Sequence, residues 1–319
     1  MLHNTRHKPR NKPKPPRRKV VTLLAAFRCE IGGHPGVVIC ADSQETSENY
    51  RIEVKKLETK SLGNYDLIRC GAGNTAELID GQVRAIEQNI PHWPASLGEE
   101  AIRLKLESLL LGYNARHISQ FPAEQDDKKL KFIFCLRDRQ SSNIYLWKSS
   151  GTVILPVESY TLLGWEEAVY DYEVRRLYRS DLTGAQAILL GIHLFSVAQN
   201  SLYISRPTQV VIVHHDGVHV EDAGYISDLE ARLWSYNNAL ANVFLACPDT
   251  SMPREDFEEL LTKFWRYVMG LREHYYGTIV GKKHSVGSLT LTGNLIPYLD
   301  FRLTITSSAA RMKAGNSST

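Results

Sequence analysis

"GVVICADSQET", residues 36–46, places a carboxylate at the end of an apolar run. Val37, Val38, Ile39, Cys40 and Ala41 read as a buried strand, and Asp42 follows with Ser43 beside it. An acid in that place has two meanings. Most commonly the strand has reached water. The other is a carboxylate held where it can act on a neighbour. The preceding stretch, "VVTLLAAFRC" (20–29), is a second apolar and β-branched run, and "EIGGHP" (30–35) between them reads as a turn. Folding this hairpin about Gly32-Gly33 brings Thr22 close to Asp42.

The next strand pair is expected in "YRIEVKKLETKS" (50–61) and "YDLIRC" (65–70), joined across Gly63-Asn64. "TAELIDGQVRAIEQNI" (75–90) sets Leu78, Ile79, Val83, Ile86 and Ile90 at helical spacing, stopped by Pro91 and Pro94. A second helix is expected over 98–117. Strands return in "KLKFIFCLRD" (129–138), "NIYLWKSS" (143–150) and "GTVILPV" (151–157). Two helices follow near 165–178 and 183–200, and then "TQVVIVHHDGVHV" (208–220) as a hairpin about Asp216-Gly217. The order is strands, two helices, strands, two helices, strands. Short turns between neighbouring strands imply mostly antiparallel sheets. Two such sheets face to face, each covered by a helix pair, give an α+β fold, a four-layer αββα sandwich.

Beyond residue 226, Leu229, Leu233, Tyr236, Leu240 and Val243 recur at helical spacing. Phe257, Leu261, Phe264, Val268 and Leu271 do the same after Pro253. Two strand-like pieces, "GSLTLTG" (287–293) and "DFRLTITSS" (300–308), precede a Ser/Gly/Lys tail. The expected organisation is a basic Pro-rich leader over 1–21, disordered or a propeptide, a sandwich domain over 22–226, and a helical extension with short strands over 227–319.

The 319 residues carry a formal charge of +3, unevenly placed. Residues 1–20 hold eight Lys/Arg and no acid, which leaves 30 basic against 35 acidic residues for the rest. A mildly acidic body argues against nucleic-acid binding. Five scattered cysteines without a C-x-x-C pair argue for packed, reduced thiols in a cytoplasmic protein and against a zinc site or disulfide frame. The start lacks the apolar segment of a secretory signal, and no apolar run is long enough to cross a membrane.

"DLIRCGAGNTAEL" (66–78) contains G-x-G-x-x-A between a strand and a helix. A dinucleotide fingerprint would need a second parallel strand after that helix, and another helix follows instead. No cofactor or metal is expected. The other reading is that Gly71 and Gly73 bring backbone amides close to an anion at a helix entrance. Lys56 shares one face of its expected strand with Ile52 and Val54, so it either snorkels at the strand end or is desolvated.

A hydroxyl, an acid, a lysine and a Gly-rich helix entrance therefore come in order along the chain. In "TLLAAF" (22–27), "GVVICADSQET" (36–46), "VKKLE" (54–58) and "CGAGNTAEL" (70–78) the sequence resembles the proteasome β-subunit-like family of N-terminal-nucleophile hydrolases, bacterial relatives included. The resemblance runs over residues 21–220. It implies a threonine-type amidohydrolase, a proteasome-like peptidase, whose nucleophile Thr22 is freed by self-cleavage. By the same resemblance Asp42 and Lys56 support that nucleophile, with Lys55 the runner-up to Lys56, the Gly73 amide receives the oxyanion, and Ser205 keeps the family's serine after the fourth helix. It further implies a peptide or protein substrate and a homo-oligomer or ring.

The sequence also departs from the family. Trp165 and Glu166 follow Gly164 where the family has Gly-Ser-Gly, Leu202 stands in place of an aspartate, and Val21 replaces the glycine before the nucleophile. These departures define the alternative, a catalytically inactive scaffold or assembly protein on the same fold.

Overall fold

The structure, a computed structural model, describes residues 22–46, 51–53, 55–72, 76–120, 130–164, 167–198 and 208–282. Strands β1 (Leu23–Ile31) and β2 (His34–Ala41) form the opening hairpin. Gly32 and Gly33 make its turn at φ 61° and 82°. Both values lie in the left-handed region that a two-residue hairpin turn demands and glycine tolerates. A short hairpin follows, β3 (Gln44–Thr46) with β4 (Arg51–Glu53), and then β5 (Leu57–Leu62) and β6 (Tyr65–Ala72). Helices α1 (Ala76–Asn89) and α2 (Glu99–His117) lead to β7 (Lys131–Asp138), β8 (Ile144–Ser150), β9 (Val153–Pro156) and β10 (Tyr160–Gly164). After α3 (Glu167–Leu177) and α4 (Gly184–Ala198) come β11 (Gln209–His214), β12 (Gly217–Val220), α5 (Ala223–Ala246) and α6 (Arg254–Lys282).

One five-stranded sheet has the order β10-β1-β2-β11-β12 and the other the order β5-β6-β7-β8-β9. Every described strand pair is antiparallel. Strand β1 shows why both its faces are apolar. Leu24 and Ala26 point into the layer between the sheets, against Leu57, Ile68, Cys70 and Cys135 of the opposing sheet. Leu23, Ala25 and Phe27 point the other way, into a layer shared with Ile188, Leu194 and Phe195 of α4. A strand buried on both faces reads as one continuous apolar run, which is how residues 23–27 appear in the sequence. The second sheet is covered on its outer face by α1 and α2 through Val83, Ile86, Ile102 and Leu106. These layers make the expected αββα sandwich. Ile226, Leu229 and Leu233 of α5 belong to the same helix-sheet core.

Four of the five cysteines are buried and all are free. Burial pushes the thiols of Cys29, Cys70 and Cys135 up to about 12, and that of Cys40 upward as well. These four are packing groups with almost no thiolate at neutral pH. Among the described residues no helix is long and apolar enough to cross a membrane.

Three local expectations are corrected. Lys56 does not lie within a strand. It immediately precedes β5, so strand alternation with Ile52 does not govern its direction. The last hairpin turns on His215-Asp216 rather than Asp216-Gly217, because Gly217 already pairs with His214. Strand β10 was not expected at all. It is five residues long and closes the edge of its sheet against β1. The strand-like pieces at 287–293 and 300–308 lie outside the described residues.

Candidate active site

The hairpin register pairs Leu24 with Ala41, so the chain segments carrying Thr22 and Asp42 leave the sheet side by side. Beyond that pair, the side chain of Asp42 takes over from the backbone. Its Oδ1 accepts the Leu23 N–H at 2.9 Å, while its own N–H donates to the Leu23 carbonyl at 3.2 Å. The peptide unit just after Thr22 is thereby held by a carboxylate that is itself fully buried. A side-chain acceptor for a strand-end N–H satisfies a donor that would otherwise be lost at the ladder's end.

Lys56 comes from the segment leading into β5, the first strand of the other sheet. Its Nζ lies 2.8 Å from Asp42 Oδ2 and 3.0 Å from Thr22 Oγ1. The lysine side chain is 10% exposed and Thr22 as a whole 6%. The two Asp42 oxygens thus divide their work, one on the Leu23 amide and the other on the Lys56 ammonium. The ammonium in turn donates to the threonine hydroxyl. A cation at this distance favours oxygen carrying negative charge, which lowers the cost of developing an alkoxide at Thr22.

Two residues that sequence reasoning did not assign to the site also shape it. Gly164 of β10 pairs with Leu23 at φ 129°. A Cβ there would sit 1.7 Å from the Thr22 carbonyl oxygen, so only glycine allows this approach. Gln209, the first residue of β11, pairs with Ala41 and accepts the backbone N–H groups of Lys56 and Leu57 on its Oε1, both at 3.0 Å. Gly164 entered the sequence reading only as the residue before Trp165 and Glu166, at the stretch where the resembled family has Gly-Ser-Gly. Gln209 gave one faint signal, a polar amide opening an otherwise apolar strand.

Of the five expected site residues, the structure brings together Thr22, Asp42 and Lys56. Lys55, the runner-up, is exposed. Gly73 and Ser205 lie outside the described residues, as do Val21, Trp165, Glu166 and Leu202. Among the described residues, the set of side chains able to hold a metal ion is His214, His215 and Asp216, at the far end of β11. The His215 carbonyl there is held by the Arg137 guanidinium, and the Asp216 N–H occupies His214 Nδ1 at 3.3 Å.

No protein-family model matches the sequence, and no curated protein matches it. Solved structures do match. The chain is similar to Anbu, described as an ancestral beta-subunit, from Yersinia bercovieri, with a TM-score of 0.57 and 15% identity over 73% of this chain and 100% of that one. It is similar to a Gly-1 mutant of Anbu from Hyphomicrobium sp. strain MC1, with a TM-score of 0.56 and 19% identity over 72% and 98% of the two chains. It is also similar to Anbu from Pseudomonas aeruginosa, solved as a helical assembly, with a TM-score of 0.56 and 18% identity over 73% and 99%. At such identities the likeness is one of architecture, and the chain has the proteasome-like α+β sandwich of these subunits.

Proposed function

We propose that the protein is a threonine-type N-terminal-nucleophile amidohydrolase, a proteasome-like peptidase acting on peptide or protein substrates. The observation that carries this reading is the contact of Lys56 Nζ with both Asp42 and Thr22 Oγ1, in a nearly buried setting between two sheets. In the full-length chain the Thr22 nitrogen is a peptide nitrogen, whose delocalised lone pair cannot take a proton. Release of residues 1–21 therefore comes first. An unperturbed α-amine titrates at about 7.7–8.0, close to working pH, and the freed amine of Thr22 is proposed to serve as general base.

In the proposed reaction the Thr22 hydroxyl oxygen attacks the substrate amide carbonyl and its proton passes to the α-amine. The tetrahedral intermediate collapses by breaking the C–N bond, and the leaving amine takes that proton. Water then hydrolyses the threonyl ester, regenerating the hydroxyl. Lys56 lowers the cost of the developing alkoxide, Asp42 holds Lys56, and the Gly73 amide is assigned to the oxyanion.

The second reading, a catalytically inactive scaffold, is favoured by residues at three positions. Val21, Trp165 and Leu202 stand where the resembled family carries its cleavage glycine and two supporting polar groups. Intact mass separates the two readings. The hydrolase should lose residues 1–21, and Thr22→Ala should keep them. A wild-type chain that stays full length on prolonged incubation supports the scaffold.

We also propose that copies of the chain associate, in a ring or another oligomer. The α5–α6 pair leaves Trp234, Phe244, Leu245 and Trp265 exposed, Phe244 at 73%. Large apolar side chains in water favour a partner. The solved Pseudomonas aeruginosa neighbour is a helical assembly. The buried free thiols fit a cytoplasmic setting.

A further inference from the structure

The candidate site is assembled from two sheets. Thr22 and Asp42 adjoin β1 and β2 of one, while Lys56 immediately precedes β5 of the other. Among the described residues, strand β5 is the outer strand of its sheet and pairs there with β6 alone, from Leu57 opposite Cys70 onward. The N–H groups of Lys56 and Leu57 are not left to water. Both donate to one acceptor, the Gln209 side-chain oxygen, at 3.0 Å each. Gln209 is bound into the opposite sheet, in register with Ala41, the residue before Asp42. An amide oxygen has two acceptor positions, and here both are filled by consecutive backbone donors.

We propose that Gln209 is a positioning residue for Lys56, the cross-sheet tie that sets the Lys56 ammonium against Thr22 and Asp42. It acts through the backbone N–H groups of Lys56 and Leu57. The tie has its own anchor. Thr208, next to Gln209, donates its N–H at 2.9 Å and its hydroxyl at 2.6 Å to Glu230 Oε1 of α5. Both residues are buried. A buried carboxylate receiving two hydrogen bonds fixes the first turn of chain into β11 more firmly than packing alone. A path of hydrogen bonds thus runs from α5 through Thr208 and Gln209 to the lysine. It rests on no assumption about catalysis, although it gives the proposed hydrolase its preorganised cation.

The test reads Lys56 directly. Lysine side chains are labelled by brief reductive methylation in the full-length protein and quantified by peptide mass spectrometry, with exposed Lys105 as internal reference. Gln209→Met keeps the length and removes the acceptor, Gln209→Asn withdraws the amide by one methylene, and Gln209→Glu keeps an acceptor oxygen. Labelling of Lys56 relative to Lys105 should rise in the Met and Asn variants, on the order of tenfold for the loss of two hydrogen bonds, and return toward wild type in Gln209→Glu. If Gln209→Met does not fold, Gln209→Asn carries the same comparison. Unchanged Lys56 labelling in a folded Met or Asn variant, or an equal rise in all three, overturns the proposal. Because labelling is measured whether or not the protein cleaves anything, the tie can stand while the hydrolase reading falls, and the reverse.

Discussion

The Lys56 ammonium sits 2.8 Å from a carboxylate oxygen of Asp42, and that carboxylate has no exposed surface. The two groups adjoin strands of different sheets, so their meeting adds a polar link to the apolar layer between the sheets and sets the surroundings of Thr22. Lys56→Met strips the cation from a buried acid and should cost about 3–5 kcal/mol of unfolding free energy. Asp42→Asn keeps an acceptor for the Leu23 N–H and removes the charge. Chemical denaturation of both single variants and of the double variant should give a double cost clearly below the sum. Additive costs would mean the two groups do not interact energetically.

Gly164 lies against the Thr22 carbonyl. Gly164→Ala places a methyl group into that oxygen and strains a φ of 129°. The expected cost is at least about 1–3 kcal/mol, with a displaced Thr22 as the relief. Thermal unfolding together with Thr22 reactivity checks this. A variant with wild-type melting temperature and wild-type reactivity would show that the close approach is not needed.

Stability should rise with pH across the histidine range. Burial holds the imidazoles of His193, His214 and His274 below their ordinary value. The unfolded chain takes up these protons below about 6.5 while the folded chain resists, so the unfolded state binds more protons and stability increases with pH. The gain is complete once pH exceeds 6.5 and is lost as pH falls toward the depressed folded values. His193→Gln should flatten the rise in melting temperature between about pH 5 and 7. A slope equal to wild type would remove His193 from the account.

If α5 and α6 carry subunit contacts, Phe244→Ser and Trp265→Ser should shift sedimentation toward a smaller species without lowering the melting temperature of the sandwich. A wild-type chain that sediments as a monomer at micromolar concentration would reject association.

The first hairpin was legible because both faces of β1 and β2 are buried, which makes two long apolar runs with a Gly-Gly turn between them. The Thr22–Asp42 neighbourhood followed from that turn alone. Lys56 was singled out as a lysine on an apolar strand face, its role came from the family resemblance, and it was placed in the wrong element, since it precedes β5 and its backbone is tied to Gln209 of the other sheet. Gln209 stayed hidden for the same reason. Its partners are more than 150 residues away in sequence, and only the register of β11 against β2 brings it to them. Strand β10 escaped because five residues ending in glycine carry too short a pattern.

The central claim is that Thr22, once it begins the chain, is the nucleophile. The direct measurement expresses the protein behind a removable fusion so that it starts at Thr22, incubates it with a peptide epoxyketone, and maps adducts by mass spectrometry. The account predicts a gain of one inhibitor mass on Thr22, lost in Lys56→Met. A folded protein with a free Thr22 that takes up no inhibitor would contradict it.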